Sequence, residues 1–325
     1  MTDCAPALPL AQQRWPHDAM PVVSVLVPAY NHERFLGQCL DGILRQVTGF
    51  PVEVIVHDDA STDATARIIE VYAKNCPLVI KPVLQKTNQL SRQKKIRAQL
   101  TGAFRGEFIA HCDGDDIWQD PYKLAKQVAF LRGHPEYVLC YHAAARVDEA
   151  GRRLENGRGR RKDERDFTPA ELRQLGSGAI LLGTLVYRNV PIEFPPEYDL
   201  APNGDHFLPI LLAAHGGAKF LDDIAPLAYR QHDGGLWSSK SKEEQARMYL
   251  RSYLQIAAYF VRIGEISSAR KVIAGRLTEY MLSVLEPGYR QLAGYCLLSG
   301  SLKPLRKKIA RALRRRRRAG VKSRS

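Results

Sequence analysis

Asp113-Gly114-Asp115, with Asp116 and Trp118 close behind, is the strongest chemical signal in this 325-residue sequence. Carboxylates this close repel one another unless a cation sits between them. Mg²⁺ or Mn²⁺ held by a few protein carboxylates, with water and phosphate at its other positions, is the usual arrangement at a diphosphate. Such an ion would neutralise charge gathering on a leaving nucleoside diphosphate. Taken alone, the pair equally suits a solvated turn. A second group, Val56-His57-Asp58-Asp59-Ala60-Ser61-Thr62-Asp63, offers carboxylates able to accept a hydrogen bond from a base N–H or a ribose hydroxyl. Ser61 or Thr62 also suits a helix cap, and the two roles are compatible. A third, Pro28-Ala29-Tyr30-Asn31, presents an aromatic ring to stack on or border a nucleobase, or simply forms a strand-to-helix turn.

Each group follows an apolar run. Val22 to Val27 is a β-branched stretch that reads as a buried strand, Val52 to Val56 a second, Leu78 to Leu84 a third and Phe108 to Cys112 a fourth. Between them, helical spacing runs from His32 to Val47, from a cap at Ser61 or Thr62 to about Asn75, and from Ile96 to Phe104. Strand and helix alternating in this way call for an α/β fold with a mostly parallel sheet and helices on both faces. Ligands of such sheets bind outside the carboxyl ends of the strands, where the acids at 58–59 and 113–116 would meet. Further along, the pattern predicts a helix over 123–131, a strand over 137–147, an exposed loop over 151–166 and a buried strand or turn over 177–188. A helix over 205–215, a strand over 218–229 and amphipathic helices over 247–262, 267–285 and 289–298 complete it.

Val25-Leu26-Val27-Pro28-Ala29-Tyr30-Asn31, then Asp58-Asp59-Ala60-Ser61-Thr62-Asp63, then Asp113-Gly114-Asp115-Asp116 resembles, in order and spacing, the large inverting glycosyltransferase family 2. The likeness covers roughly residues 21 to 240. It implies a GT-A fold (Rossmann-like), a nucleotide-sugar donor, UDP-linked by preference, and a divalent cation. It also implies residue roles. The position of Asp58 binds the base, with Asp59 beside it and Pro28 and Tyr30 lining the same pocket. Asp115 is the main metal ligand, Asp113 sits near the ribose, and Gly114 lies between them. A basic residue from Arg92, Lys94 and Lys95 approaches the base or diphosphate. In Asn203-Gly204-Asp205-His206-Phe207, Asp205 matches the general base that deprotonates the acceptor hydroxyl. Gly204 departs from the Glu that commonly precedes that base. Tyr229 to Ser238 resembles the segment closing the catalytic domain, and His232 in it is a candidate for the metal or the diphosphate. The Gln-x-x-Arg-Trp motif of processive synthases is absent, which favours single addition to a glycan or lipid-linked acceptor over polymerisation.

Composition narrows the classes further. The chain is 45% hydrophobic and 25% charged, ordinary for a globular protein. The net charge of +14 suggests nucleic acid until it is located: 12 Lys and Arg and no acid fall between Lys303 and Ser325, which leaves +2 for the rest. Leu302, Leu305, Ile309 and Leu313 recur at helical spacing within that tail. Residues 302–325 therefore read as a basic amphipathic segment for an anionic membrane face, as a non-specific polyanion binder, or as a solubilising tail; no specific nucleic-acid partner is expected. Six scattered cysteines give no zinc spacing. No signal peptide or spanning stretch is apparent, which fits a cytoplasmic protein, at most peripheral on the membrane. The expected division is a flexible leader over 1–20, a catalytic domain over 21–240, a helical region over 241–300 and the tail over 301–325. A sugar nucleotidyltransferase, the alternative use of such a fold, would need a Gly-rich basic loop after the first strand; Tyr30-Asn31-His32-Glu33 stands there instead.

Overall fold

The computed structural model describes residues 8–16, 18–89, 95–96, 100–154, 164–175, 180–235 and 237–274. The strands are β1 (Leu8–Pro9), β2 (Val23–Ala29), β3 (Val47–Thr48), β4 (Val52–Asp58), β5 (Ile80–Leu84), β6 (Phe108–His111), β7 (Tyr137–Tyr141), β8 (Ala144–Val147), β9 (Val186–Arg188), β10 (Gly217–Phe220) and β11 (Leu227–Arg230). The helices are α1 (Leu36–Leu44), α2 (Thr65–Asn75), α3 (Lys123–Gly133), α4 (Pro169–Leu175), α5 (Pro196–Leu200), α6 (Phe207–Leu212), α7 (Lys242–Arg262) and α8 (Ile266–Val272).

Seven strands form the main sheet in the order β10-β7-β9-β6-β2-β4-β5. All its pairings are parallel except those of β9, which runs antiparallel to β6 and β7. Alternate residues face opposite ways along a strand. Val25, Val27, Val54 and Val56 accordingly pack with Leu36, Leu40 and Ile43 of α1 on one side. Leu26, Ile55 and Ile109 pack with Leu208 and Leu212 of α6 on the other. Covering both faces explains why these strands are near-continuous apolar runs in sequence. From β2 the chain moves one way to β4 and β5, then returns to place β6 on β2's other side. The carboxyl end of β2 is thus a topological switch point, the expected place for a ligand crevice.

Three expectations change. Residues 8–16, read as part of a loose leader, are fastened: β1 pairs with β3, Leu10 is 1% exposed, and the Gln13 amide donates to the Thr48 carbonyl and hydroxyl at 2.8 Å. A buried leucine and a buried amide with partners hold a segment that has no periodicity of its own. The single strands expected over 137–147 and 218–229 are each two strands. β7 and β10 pair in the main sheet, whereas β8 and β11 form a separate parallel pair. The helix expected over 205–215 is a 3₁₀ turn, Gly204–His206, followed by the short α6.

The chain divides into two compact units, Met1–Asp199 with Gly204–Ser239, and Leu200–Asn203 with the residues from Lys240 onward. In the second, Ser241 and Glu244 make a reciprocal capping box at the start of α7. Among the described residues no helix is long and apolar enough to cross a membrane. The helices expected beyond residue 274, and the basic tail, lie outside the described residues.

A buried cation in the first unit gives a test of the packing. Lys123, 1% exposed, donates to Gln127 Oε1 at 2.7 Å and lies 4.1 Å from the centre of the Trp118 ring. Burial, against the pull of Cys112, Cys140 and Asp120, brings its pKa from 10.5 down to about 7. Between these values the unfolded chain binds the proton that the folded chain has released, so stability rises with pH, by at most about 1.4 kcal/mol per unit. Below pH 7 both states hold the proton and the contribution is flat. Thermal melts of the natural protein and of Lys123→Met are expected to diverge between pH 7 and 9, the natural protein gaining; parallel melting curves would disprove the assignment.

Candidate active site

Three loops at the carboxyl ends of β2, β4 and β6 build the site. The loop after β2 is knitted to the one after β4. Asn31 N–H donates to Ser61 Oγ at 2.9 Å, Thr62 N–H to Asn31 Oδ1 at 2.9 Å, and His32 N–H to Thr65 Oγ1 at 2.8 Å. Asn31 and Ala60 both take left-handed backbone conformations, with φ of 54° and 61°. Asn tolerates that region; Ala bears a cost of about 1 kcal/mol that the surrounding bonds must outweigh.

The β11 strand reaches the loop after β6 from the other side. Ile117 and Ala228 exchange backbone hydrogen bonds at 3.1 and 3.0 Å, and the Asp116 carboxylate accepts from Arg230 N–H at 3.0 Å. Arg230 is 2% exposed. Its guanidinium donates to the carbonyl of Asp115 at 2.9 Å, to the carbonyl of Glu149 and to Gln38 Oε1, and lies over the Phe35 ring at 4.8 Å. This register delivers His232 to Asp115, with Nε2 to Oδ2 at 3.0 Å.

These loops surround a cavity of about 260 Å³ lined by Pro28, Tyr30, Asp59, Asp113 and Asp115 among the residues singled out by sequence, and by His32, Ile96, Tyr229 and Trp237 besides. A larger hollow, about 340 Å³, opens at the amino ends of β4 and β5, beside Trp15, Glu53 and Arg105. There the charges of Glu53 and Arg105 satisfy each other at 3.0 Å, and no acid is left to hold a cation. Chemistry rather than size therefore selects the first cavity.

The carboxylates differ in their tasks. Asp58, 2% exposed, is not among the residues lining the cavity; its side chain accepts from Ser61 N–H at 3.2 Å and from the Ser61 hydroxyl. Asp59 is the one that lines the cavity, steadied by Gln89 N–H at 2.6 Å. Burial opposes ionisation of Asp115, but the His232 hydrogen bond and the nearby His32 outweigh it, and its pKa lies below the ordinary value. Burial and the charges of Asp115 and Asp113 push Asp116 well above the ordinary carboxylate range, so the third acid of the run is structural. Gly114 is required by close approach: a Cβ there would stand 2.7 Å from His32 Nδ1 and 3.1 Å from the Pro28 carbonyl.

Asp205 lies in the Gly204–His206 turn, half-buried, and is not among the residues lining the cavity. Its position is tied to the cavity through Lys95, whose ammonium feels the charges of Asp205 and Asp199 and whose neighbour Ile96 is in the cavity wall. Burial lowers the Lys95 pKa against the pull of those two acids. Arg92 and Lys94 lie outside the described residues. Gly204 also explains the missing Glu: a Cβ there would sit 3.0 Å from the Tyr198 ring.

His32 and Arg230 are the site residues that motif reading left without a role. His32 stands directly after Tyr30-Asn31 but reads as the first residue of a helix. His32, Asp115 and His232 present ligand atoms all within 4.8 Å of one another, the one such group found among the described residues. Two imidazoles and a carboxylate suit a divalent transition ion, so the residues present fit a metal.

A switch-point cavity lined by acids, on a mostly parallel sheet with one reversed strand, is the architecture of the GT-A glycosyltransferases. Among solved structures, S. aureus TarS 1-349 in complex with UDP-GlcNAc superposes with a TM-score of 0.54 at 24% identity, over 80% of this chain and 71% of that one. The mannosyltransferase PcManGT from Pyrobaculum calidifontis, in complex with GDP-Man and Mn²⁺, gives 0.50 at 18% identity over 96% and 82%. At these identities the likeness speaks for the fold. In sequence, Glycosyl transferase family 2 matches residues 24–182. The uncharacterized protein Rv1520 of Mycobacterium tuberculosis (strain ATCC 25618 / H37Rv) is 33% identical over 268 residues, 80% of this chain and 74% of its own length. The chondroitin synthase of Escherichia coli is 29% identical over 138 residues, 42% of this chain and 19% of its own. The chain belongs to glycosyl transferase family 2 and is a glycosyltransferase.

Proposed function

We propose that this enzyme moves a sugar, with inversion, from a nucleoside-diphosphate donor to a hydroxyl of a glycan or lipid-linked acceptor, and that UDP is the preferred leaving group. The observation that carries the reading is the meeting of Asp59, Asp113 and Asp115, remote in sequence, around one cavity at the switch point of the sheet. Tyr30, Ile96 and Trp237 supply apolar walls for a base. Asp59, which lines the cavity, accepts from the base or ribose, with Asp58 held behind it by Ser61. Asp115 and His232 hold a divalent cation, Mn²⁺ or Mg²⁺, and Asp113 faces the ribose. When bound, the ion offsets the charge that gathers on the departing diphosphate. Asp205 takes the proton of the acceptor hydroxyl as it attacks C1 from the face opposite the diphosphate. Lys95, whose ammonium feels the charges of Asp205 and Asp199, is the basic residue tied to that base.

UDP is preferred because the TarS structure holds UDP-GlcNAc; PcManGT holds GDP-Man, so GDP is the competitor to test. In a thermal-shift panel of nucleoside diphosphates, UDP with Mn²⁺ is expected to raise the melting temperature and UDP with EDTA to do so far less. Silence from every nucleotide with every cation would sink the transferase reading of this cavity.

Residues 302–325 bring the enzyme to the anionic cytoplasmic face of a membrane, where a lipid-linked acceptor lies. The motive is the 12 basic residues between Lys303 and Ser325, with Leu302, Leu305, Ile309 and Leu313 at helical spacing among them. Removing residues 303–325 is expected to abolish sedimentation with anionic vesicles while transfer to a soluble acceptor persists. Vesicle binding that survives the deletion would refute the role.

A further inference from the structure

We propose that His32 is a third protein ligand of the cation, so that Asp115, His232 and His32 load a first-row transition dication ahead of the nucleotide and in preference to Mg²⁺. The inference rests on the transferase reading for the ion's purpose but not for its binding.

The geometry comes first. His232 Nε2 lies 3.0 Å from Asp115 Oδ2 and His32 Nε2 lies 3.9 Å from the same oxygen. Ligand atoms about 2.1 Å from one ion stand about 3–4 Å apart, depending on the angle between them. The 3.0 Å contact is also a hydrogen bond; the 3.9 Å one is too long for that, and it leaves His32 Nε2 without a hydrogen bond among the described residues. His32 lines the cavity, its Nδ1 is buried, and its ring makes no hydrogen bond among the described residues.

The position of the ring is enforced from several sides. Its backbone N–H is bound by Thr65 Oγ1 at 2.8 Å. It packs on the bare Cα of Gly114 and meets the His232 ring edge to face at 6.2 Å. His232 is in turn packed on Phe35, 4.6 Å between ring centres. Two imidazoles are therefore held at one carboxylate by packing, before any ligand arrives. A surface histidine drifting near an acid would show none of these restraints.

The donor set then chooses the ion. Mg²⁺ dehydrates reluctantly and takes oxygen ligands, with most of its shell left as water and phosphate. Imidazole nitrogen favours the transition dications over Mg²⁺. A site with one carboxylate alone would wait for the diphosphate to complete its shell. Three protein ligands hold an ion without it and leave its remaining positions open for phosphate oxygens.

The test uses the full-length, metal-stripped protein and no nucleotide. Calorimetric titration is expected to show Mn²⁺ binding more tightly than Mg²⁺. His32→Gln, of similar size, is expected to lose most of that preference while its melting temperature in EDTA stays level. Gly114→Ala, which drives a methyl into His32 but keeps the imidazole, should weaken Mn²⁺ in the same direction. Gly133→Ala, where a Cβ meets nothing within 4 Å, should not. Pulsed EPR of the unaltered protein settles the matter without any variant: two imidazole nitrogens coupled to bound Mn²⁺ are expected, and one overturns the proposal, as does equal affinity for Mn²⁺ and Mg²⁺. Two coupled nitrogens in a protein that binds no nucleoside diphosphate would leave the ion site standing and remove the transferase reading instead.

Discussion

Asp205→Asn is expected to lower turnover about 10²–10⁴-fold, the usual worth of a positioned general base, with donor affinity unchanged. Asparagine keeps the shape of the side chain and can still meet an acceptor hydroxyl, but it cannot take the proton. The turn that carries Asp205 is well anchored, since every residue of α6 behind it is buried. Tyr198 fills the space where a side chain on Gly204 would be, which fixes the approach to the turn from the other side. Loss of activity in the variant would therefore reflect chemistry and not a collapsed loop. The measurement is steady-state kinetics with the donor varied, alongside calorimetric titration of the nucleoside diphosphate. Asp199→Asn is the matched control, because Asp199 also faces Lys95. It should cost far less than the Asp205 change. Turnover of Asp205→Asn within about threefold of the natural enzyme would remove Asp205 from the mechanism.

Arg230→Ala is the change expected to cost most in stability, about 3–5 kcal/mol, the range for removing one partner from a buried charged network. Its guanidinium binds the carbonyls of Asp115 and Glu149 and the Gln38 amide oxygen, so truncation orphans three acceptors. It also removes the positive charge closest to Asp116, a carboxyl already buried beside two other acids. Arg230→Lys keeps a charge but not the planar fork, and should recover only part of the loss. Urea denaturation is the direct measurement, and a cost under about 1 kcal/mol would contradict the network as described. Because the same side chain holds the backbone of Asp115, cation affinity should fall along with stability.

The two expectations separate the halves of the site. On the proposed function Asp205 serves the acceptor, so its loss should leave the cation and donor untouched. Arg230 acts on the framework that carries Asp115 and His232, and its loss should be felt first in folding and ion binding. An enzyme in which both variants behaved alike would have a differently organised cleft.

The local sequence determined a good deal. Apolar runs ending near Pro28, Asp58 and Asp113 were enough to predict three of the central strands. Their alternation with helical stretches was enough to predict a mostly parallel sheet with ligands at its carboxyl ends. Acids in short-range order at those ends marked the cavity, because strand ends are where a buried apolar run must give way to polar chemistry. Other features are not written in any local pattern. That Asp59 lines the cavity while Asp58 is held by Ser61 depends on contacts at the end of β4 that no local pattern records. Tyr137 to Val147 looks like one strand because periodicity reports burial and not partnership. Its division into β7 and β8 follows from two different neighbours, β10 and β11. That second pairing is what carries Arg230 and His232 across to Asp115. His32 belongs to the site only because Gly114, far along the chain, has no side chain to push it away. Sequence thus determined the strands, the sheet type and the acids at their ends, since these depend on neighbours in the chain. The tertiary structure alone decided which nitrogen and which carboxylate face the same few ångströms of space, since that depends on contacts between segments that share no local periodicity.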